Sequence, residues 1–284
     1  MGHQVQRKFS PVNALIAFLL LALFFFTVVP LFFMFSASLM QKNQILRMPY
    51  SWIPRPFYPH NYYQALRGND GSWIFPRNMF NSLLVSSVAA LTSVALASIT
   101  GYGLAKFRFK GRNFVFMMIM ATMMIPFEAI MMPLYMVARG LRIQNSYVGL
   151  TLPFLVSAFG VFQMRQYLVT FPNEYLDAAR VDGMGEAGIF RKIVFPNCTP
   201  VIATLGILSF RSQWDNLLWP LLVIQSERMK TIPLYISKFT EEKMTDEGAM
   251  MAAAAIASIP MFILFFSLSK YFIGGSAVYE SRKG

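Results

Sequence analysis

Three ionisable side chains stand inside strongly apolar stretches of this sequence: Glu128, Arg211 and Asp215. A charge at membrane depth is costly, so such residues face one another or a water-filled path, and they are the first candidates for a translocation route. Arg211 and Asp215 are four apart on one helical face and either neutralise each other or meet a cargo. Beside them Trp214, Asn216 and Trp219 supply rings and an amide. Such a set suits a sugar, whose apolar face stacks on rings while its hydroxyls need donors and acceptors. Tryptophans also anchor helices at the membrane interface, and that reading is favoured for Trp219. Glu128 lies between Pro126 and Pro133, where a carboxyl and freed backbone groups line an aqueous path, or else where an external surface solvates it.

Covalent or metal chemistry finds no comparable cluster. The only histidines are His3 and His60, and the lone Cys198 permits no intramolecular disulfide and reads as a packing residue. No catalytic residue and no metal ligand is expected, which argues against a membrane-embedded enzyme. The methionines between Met117 and Met132 read as adaptable core packing. No Gly-x-x-x-x-Gly-Lys-Ser/Thr run occurs, so the chain is expected to bind no cofactor, and any ATP and Mg must sit on another chain. An ion-coupled secondary transporter would instead use Glu128 or Asp215 as its ion site.

The elements that must carry these groups follow from hydropathy. The 284 residues are 56% hydrophobic and only 13% charged, too few charges to cover a soluble domain. The apolar residues fall into six blocks near or above the roughly 20 residues that cross a bilayer, at about 12–39, 80–106, 113–137, 146–167, 201–224 and 249–272. The expected fold class is all-α, a polytopic membrane protein with six transmembrane helices. The first block follows Arg7 and Lys8 but far exceeds the core of a signal peptide, so it reads as an uncleaved span. The net charge of +12 is divided among loops and forms no stripe, which points to a lipid bilayer and away from nucleic acid. Lys106, Arg108, Lys110 and Arg112 between spans two and three, against Arg139 and Arg142 in the next connection, place both termini in the cytoplasm. Residues 1–11 and 274–284 are then cytoplasmic tails around a transmembrane domain of 12–273. The connection after span one, rich in Pro and aromatics from Tyr50 to Pro59, reads as an extended loop at headgroup depth. Span two is full of small residues from Ser82 to Gly101, and span six opens with Ala252 to Ala255; helices of that kind pack closely against protein.

The connection between spans four and five, 165–200, is polar and mixed in charge. Asn173 is placed to cap a helix whose first turn holds Glu174 and Asp177. Ala178, Ala179 and Arg180 continue it, Gly183 and Gly185 break it, and a second short helix carries Ile189, Phe190 and Ile193 before Pro196 and Pro200.

The run Asp177-Ala178-Ala179, three residues, Gly183, nine residues, Ile193, one residue, Phe195-Pro196 resembles the signature loop of the inner-membrane permeases of binding-protein-dependent ABC importers. It departs from the family pattern at Asp177, where Glu is usual, and at Phe195, where Leu is usual. Asn81-Ser82-Leu83, Tyr102, Phe109 to Arg112, Pro126, Pro133-Leu134-Tyr135 and Trp214 to Leu221 are similar to the second permease of carbohydrate importers, where Asn commonly stands at the position of Asp215. The resemblance implies a permease of the type I importer fold in a bacterial inner membrane. It implies a coupling loop over 174–196, in which Glu174, Asp177, Ala178, Ala179, Asp182, Gly183, Phe190, Ile193 and Pro196 engage an ATPase. Ile189, Phe190 and Ile193 would offer the apolar docking area. The implied partners are two ATPase subunits, a homologous permease and an extracytoplasmic solute-binding protein. The cargo would be a di- or oligosaccharide, with glycerol 3-phosphate or another polyol as the alternative.

Overall fold

The computed structural model describes residues 11–67, 72–240 and 246–280, with side chains to residue 269. His3, Arg7, Lys8 and the end of the expected C-terminal tail lie outside the described residues. In chain order the helices are α1 (Pro11–Ala37), α2 (Lys42–Ile45), α3 (His60–Arg67), α4 (Phe75–Lys106), α5 (Arg112–Thr122), α6 (Phe127–Gly140), α7 (Tyr147–Thr151), α8 (Ala158–Val169), α9 (Glu174–Val181), α10 (Glu186–Ile189), α11 (Phe195–Asn197), α12 (Thr199–Trp214), α13 (Leu218–Val223), α14 (Ile232–Ser237) and α15 (Glu247–Glu280). Among the described residues no strand occurs.

Helices α1, α4 and α15 are each long and apolar enough to cross a membrane alone. The third and fourth expected spans correspond to bent pairs rather than straight helices, and the helix of the fifth, α12, is bent against the polar connection that leads into it. Helices α5 and α6 meet at 93°, the segment Tyr147–Phe154 meets α8 at 42°, and Glu186–Asn197 meets α12 at 77°. Pro126, extended ahead of α6 at φ −63° and ψ 139°, explains the sharpest bend, since proline removes a helical donor and crowds the preceding turn. The fifth expected span also stops at Trp214 and restarts as α13.

The chain divides into two compact units, Met1–Gly71 with Phe239–Ile256, and Ser72–Lys238 with Ala257–Gly284. In the first, the stretch from Tyr50 to Pro59 carries no regular structure, as its prolines led one to expect, but the connection is flanked by short helices. Helix α2 precedes that stretch and α3 follows it, and the buried Asn61 of α3 donates to the carbonyls of Ser38 at 3.0 Å and Met40 at 2.7 Å. Gly248 fits against Asn61, where any side chain would collide, and Ala249, Ala252, Ala253 and Ala255 are buried as their size suggests. Most of α1 leaves its Leu and Phe side chains exposed, as a helix against lipid requires.

In the second unit α4 is the central element. Its Ser82, Ser86, Ala89, Ala90, Ser93, Ala97, Ser98 and Gly101 are buried, and α8 and α12 both pack on it. A β-carbon on Gly101 would lie 2.7 Å from Cβ of Met164 on α8; one on Gly160 of α8 would lie 2.9 Å from Leu205 of α12 and 3.1 Å from Ala97 of α4. The close approach expected from small residues is therefore real. At the opposite end of α4 from Gly101, Asn81 Nδ2 donates to the carbonyls of Arg228 and Lys230 at 2.9 and 2.8 Å, and its oxygen accepts from Tyr147 at 2.7 Å. Ser82 Oγ accepts from Ile232 N at 2.7 Å. Glu227, in the segment so held, is pulled both ways: burial would raise its pKa, but bonds from Lys230 and Lys238 outweigh that and hold the carboxyl below its usual range. Of the methionines expected to form core, Met131 packs against the cluster around Trp219, but most do not. Helix α5 buries no residue, and Met117, Met118, Met123, Met124 and Met132 are exposed, because α5 packs on α4 and α8 through Phe116 and Ile119 instead.

A Gly101→Ala substitution is expected to lower stability by about 1–3 kcal/mol, because Met164 and the backbone of Arg165 leave no room for a methyl group. Gly103→Ala, two residues on with nothing within 4 Å of its β-carbon, is expected to leave it unchanged or slightly raised. Thermal unfolding of both variants in detergent measures the contrast.

Candidate functional site

The polar connection between α8 and α12 is folded against its own chain. Leu176, Ala179, Ile189, Val194 and Cys198 are buried in one cluster with Tyr102 of α4 and Met164 and Leu168 of α8. This corrects the expected docking surface. Ile189 is fully buried, and Phe190 and Ile193 pack against the same cluster, so these three side chains hold the connection to α4 and α8. Ala179 faces inward as well, whereas Ala178 is exposed. The outward face carries Glu174, Tyr175, Asp177, Ala178, Val181, Asp182 and Gly183, and Val181 is 88% exposed. Alternation along α9 produces this division, since Leu176 and Ala179 are three apart and share the inner stripe.

The turn after α9 is made by Gly183, whose φ of +80° suits glycine and strains other residues. Gly185 is different: its φ of −69° needs no glycine. Phe190–Val194 forms a π-helical turn, and Pro196 lies exposed in α11. Asn173 does not cap α9. Its backbone is already helical, and its side-chain oxygen accepts instead from Lys106 Nζ at 2.7 Å. Lys106 also donates to the carbonyl of Phe171 at 2.6 Å, so the last turn of α4 grips the entrance to the connection.

A second grip was not visible in the spacing of residues. Tyr102 donates to Glu186 Oε2 at 2.8 Å, and Arg180 Nε donates to Glu186 Oε1 at 2.8 Å, while Arg180 Nη1 reaches Asp177 at 2.7 Å. One carboxylate thus joins α4, α9 and α10. The bond to Glu186 is the main reason the Arg180 guanidinium is pushed further above its usual pKa. A Glu three residues after the turn glycine, with Arg three residues before that glycine, was the available signal; only the fold brings Tyr102 to it.

The candidates in the apolar stretches separate. Arg211 and Asp215 pair at 3.2 Å on an exposed face, as their spacing allowed. Trp214 is buried and stacks on Phe210 with ring centroids 5.5 Å apart, so it presents no ring to a path. Trp219 is no interface anchor: it is 1% exposed, lies edge-on to Phe127 and Phe154, and donates from Nε1 to the carbonyl of Gly149 at 2.9 Å. Asn216 bridges the break between α12 and α13, donating to Gln213 at 3.2 Å and accepting from the Trp219 amide at 3.3 Å. Glu128 is exposed in the first turn of α6, just past the bend. The structure therefore does not gather Glu128, Arg211, Trp214, Asp215 and Asn216 into one site. Among the described residues no group of His, Cys, Asp and Glu is placed to hold a metal ion.

Three long apolar helices, two bent apolar pairs and α12, with a folded polar connection ahead of α12, make the architecture of a polytopic transport permease. Residues 93–274 match the family described as binding-protein-dependent transport system inner membrane component, and the chain belongs to that family. Its members are transport components and not enzymes. The chain is 34% identical over 280 residues to the arabinooligosaccharides transport system permease protein AraQ of Bacillus subtilis, covering 98% of each protein. It is 32% identical to the sn-glycerol-3-phosphate transport system permease protein UgpE of Brucella abortus, covering 93% of this chain and 96% of that one. It is 35% identical to the lactose transport system permease protein LacG of Rhizobium radiobacter over 70% of this chain and 73% of that one. A crystal structure of a bacterial ABC transporter involved in the import of the acidic polysaccharide alginate contains a chain of the same fold, with a TM-score of 0.78 at 22% identity, covering 92% of this chain and 96% of that one.

Tyr102→Phe and Glu186→Gln each remove a charge-assisted bond while keeping shape. Each is expected to weaken the hold of α4 on the connection by about 1 kcal/mol. Hydrogen exchange of the amides in 174–197 should speed up in both variants, with exchange in α8 unchanged.

Proposed function

We propose that this chain is one permease subunit of an ATP-driven importer that takes up a sugar, a di- or oligosaccharide. The observation that carries the reading is the connection over 174–196, which is packed on α4 and α8 by one face and leaves Ala178, Val181 and Gly183 open on the other. A folded element with an unpartnered, small-residue outer face on a membrane permease is suited to receive a second protein. That second protein is the ATPase, in two copies, which holds ATP and Mg; this chain binds neither. Glu174, Asp177 and Asp182 give the contact its charge, and Ala178, Val181 and Gly183 its close approach. Phe190, Ile193 and Ala179 act from behind by packing the connection on α4 and α8, and Pro196, exposed in α11, lies on the ATPase side at its end. Closure of the ATPase pair moves the connection, and the bonds from Tyr102 and Lys106 pass that motion to α4.

A homologous permease completes the pathway, and an extracytoplasmic solute-binding protein delivers the cargo. The connection and both termini face the cytoplasm, as the basic residues from Lys106 to Arg112 suggest. Full-length similarity to a permease for arabinooligosaccharides supports sugar as cargo, and similarity to a permease for glycerol 3-phosphate supports a polyol phosphate as the second reading. Glu128 and the Arg211–Asp215 pair remain exposed polar groups available to the pathway.

Affinity purification of the tagged chain in mild detergent tests this. The wild type is expected to bring down a soluble ATPase and a second permease. Val181→Glu, at the most exposed apolar side chain of the connection, is expected to weaken ATPase recovery about tenfold and to keep the permease partner. Recovery of the ATPase at wild-type levels with both Val181→Glu and Gly183→Asp would overturn the assignment of this surface.

A further inference from the structure

A cavity of about 290 Å³ lies within the second unit, between α4, the break ahead of α8, and α12. Its polar lining is Ser93, Ser157, Ser209, Ser212 and Gln213. None of the residues proposed above for the pathway contributes to it. Its depth follows from helix geometry. Ser209 stands about ten residues into α12 from the end joined to the connection, on the order of 15 Å at 1.5 Å per residue. Ser93 is about thirteen residues from the corresponding end of α4, and Ser157 about twelve from that of α8, which gives roughly 20 Å for each. With about 30 Å of hydrocarbon, three separate elements bring these hydroxyls to the middle of the bilayer.

Polar groups at that depth face protein or a filled cavity, and not lipid. Part of their capacity is used internally: Ser209 and Ser93 hydroxyls are 3.3 Å apart, and Ser157 Oγ accepts from Gly160 N at 3.0 Å. The Ser157 hydroxyl still has its own proton to donate. Ser212 is exposed toward the opening. Phe154 and Phe159 form part of the wall. Among the described residues, the lining contains no charged side chain.

We infer that this cavity is a contact site for the cargo at the membrane midplane, and that it selects an uncharged polyhydroxylated molecule, a neutral sugar unit. Hydroxyls and an amide exchange hydrogen bonds with sugar hydroxyls, and the two phenylalanines accept an apolar sugar face. A phosphate or carboxylate would enter without a counter-charge and bear the full desolvation of its ion. The inference rests on the importer reading and narrows its cargo.

The test uses the assembled importer, purified with its ATPase, partner permease and binding protein and placed in liposomes containing ATP. Uptake of two probes, arabinotriose and sn-glycerol 3-phosphate, is measured for the wild type and for Ser209→Ala/Ser212→Ala. The wild type is expected to import arabinotriose and not glycerol 3-phosphate, and the double variant to raise the KM for arabinotriose about tenfold with a far smaller change in kcat. Ser98→Ala is the control, because the Ser98 hydroxyl is turned to the carbonyl of Val94 at 2.6 Å and lies outside the lining. It is expected to leave KM unchanged. If the wild type imports arabinotriose and the double variant keeps its KM, or Ser98→Ala shifts KM equally, the cavity is not the contact site, while the importer reading stands. Import of glycerol 3-phosphate but not of arabinotriose overturns the neutral-cargo inference along with the sugar reading. Uptake of neither probe in the presence of ATP, binding protein and partners overturns both at their root.

Discussion

The approach of α8 to α4 at Gly101 is the constraint from which the rest of the second unit follows. With the β-carbon of Met164 only 2.7 Å from where a side chain at Gly101 would begin, the two backbones run nearly in contact. Lipid offers no hydrophobic drive for helices to associate, so they gain from dispersion contacts that only small residues permit. Gly160 repeats the arrangement between α8, α12 and α4. The three helices therefore pack closely together, and the connection between α8 and α12 has a well-packed floor on which to fold.

That floor explains why the connection is a built element and not a solvated strap. Ile189 and Leu176 are buried against Tyr102, Met164 and Leu168, and the Glu186 carboxylate ties α9 and α10 to α4. In the proposed importer, force applied at Val181 or Ala178 meets no soft joint before it reaches α4. The same helix carries Ser93 into the midplane cavity and Asn81 into the bonds that hold the segment before α14. One element thus touches the connection, the cavity and the far end of the unit, which is what a mechanical switch between two states requires.

Much of this was legible in the sequence, and what was not has identifiable physical causes. Six apolar blocks gave the number of spans, and the small residues of α4 gave its central place. Spacing from Asp177 to Pro196 marked the connection and the turn at Gly183, whose φ is positive as a glycine turn allows. Hydropathy does not register direction, so the bends at Pro126 and ahead of α8 were hidden inside blocks that look continuous. Residue type does not say which side of a short helix faces inward; Ile189, Phe190 and Ile193 looked like a docking surface, yet Ile189 is buried and the other two are half-buried against the same cluster. Trp219 looked like an interface anchor for the same reason, because its partner Gly149 lies 70 residues away. Asn173 had the residue type of a cap, but Lys106, distant in sequence, claims its oxygen. Ionisable residues drew attention to Glu128, Arg211 and Asp215, whereas the cavity is lined by serines, which a search for charge passes over.

In the proposed importer this permease moves a sugar by mechanical coupling to an ATPase. The most direct test is uptake of radiolabelled arabinotriose into liposomes holding the purified assembly, with ATP enclosed or omitted and with or without proton and sodium gradients. Uptake is expected to require ATP and the binding protein and to be indifferent to either gradient. Uptake by this chain alone, driven by an ion gradient without ATP, would contradict it and return Glu128 and Asp215 to the centre as an ion site.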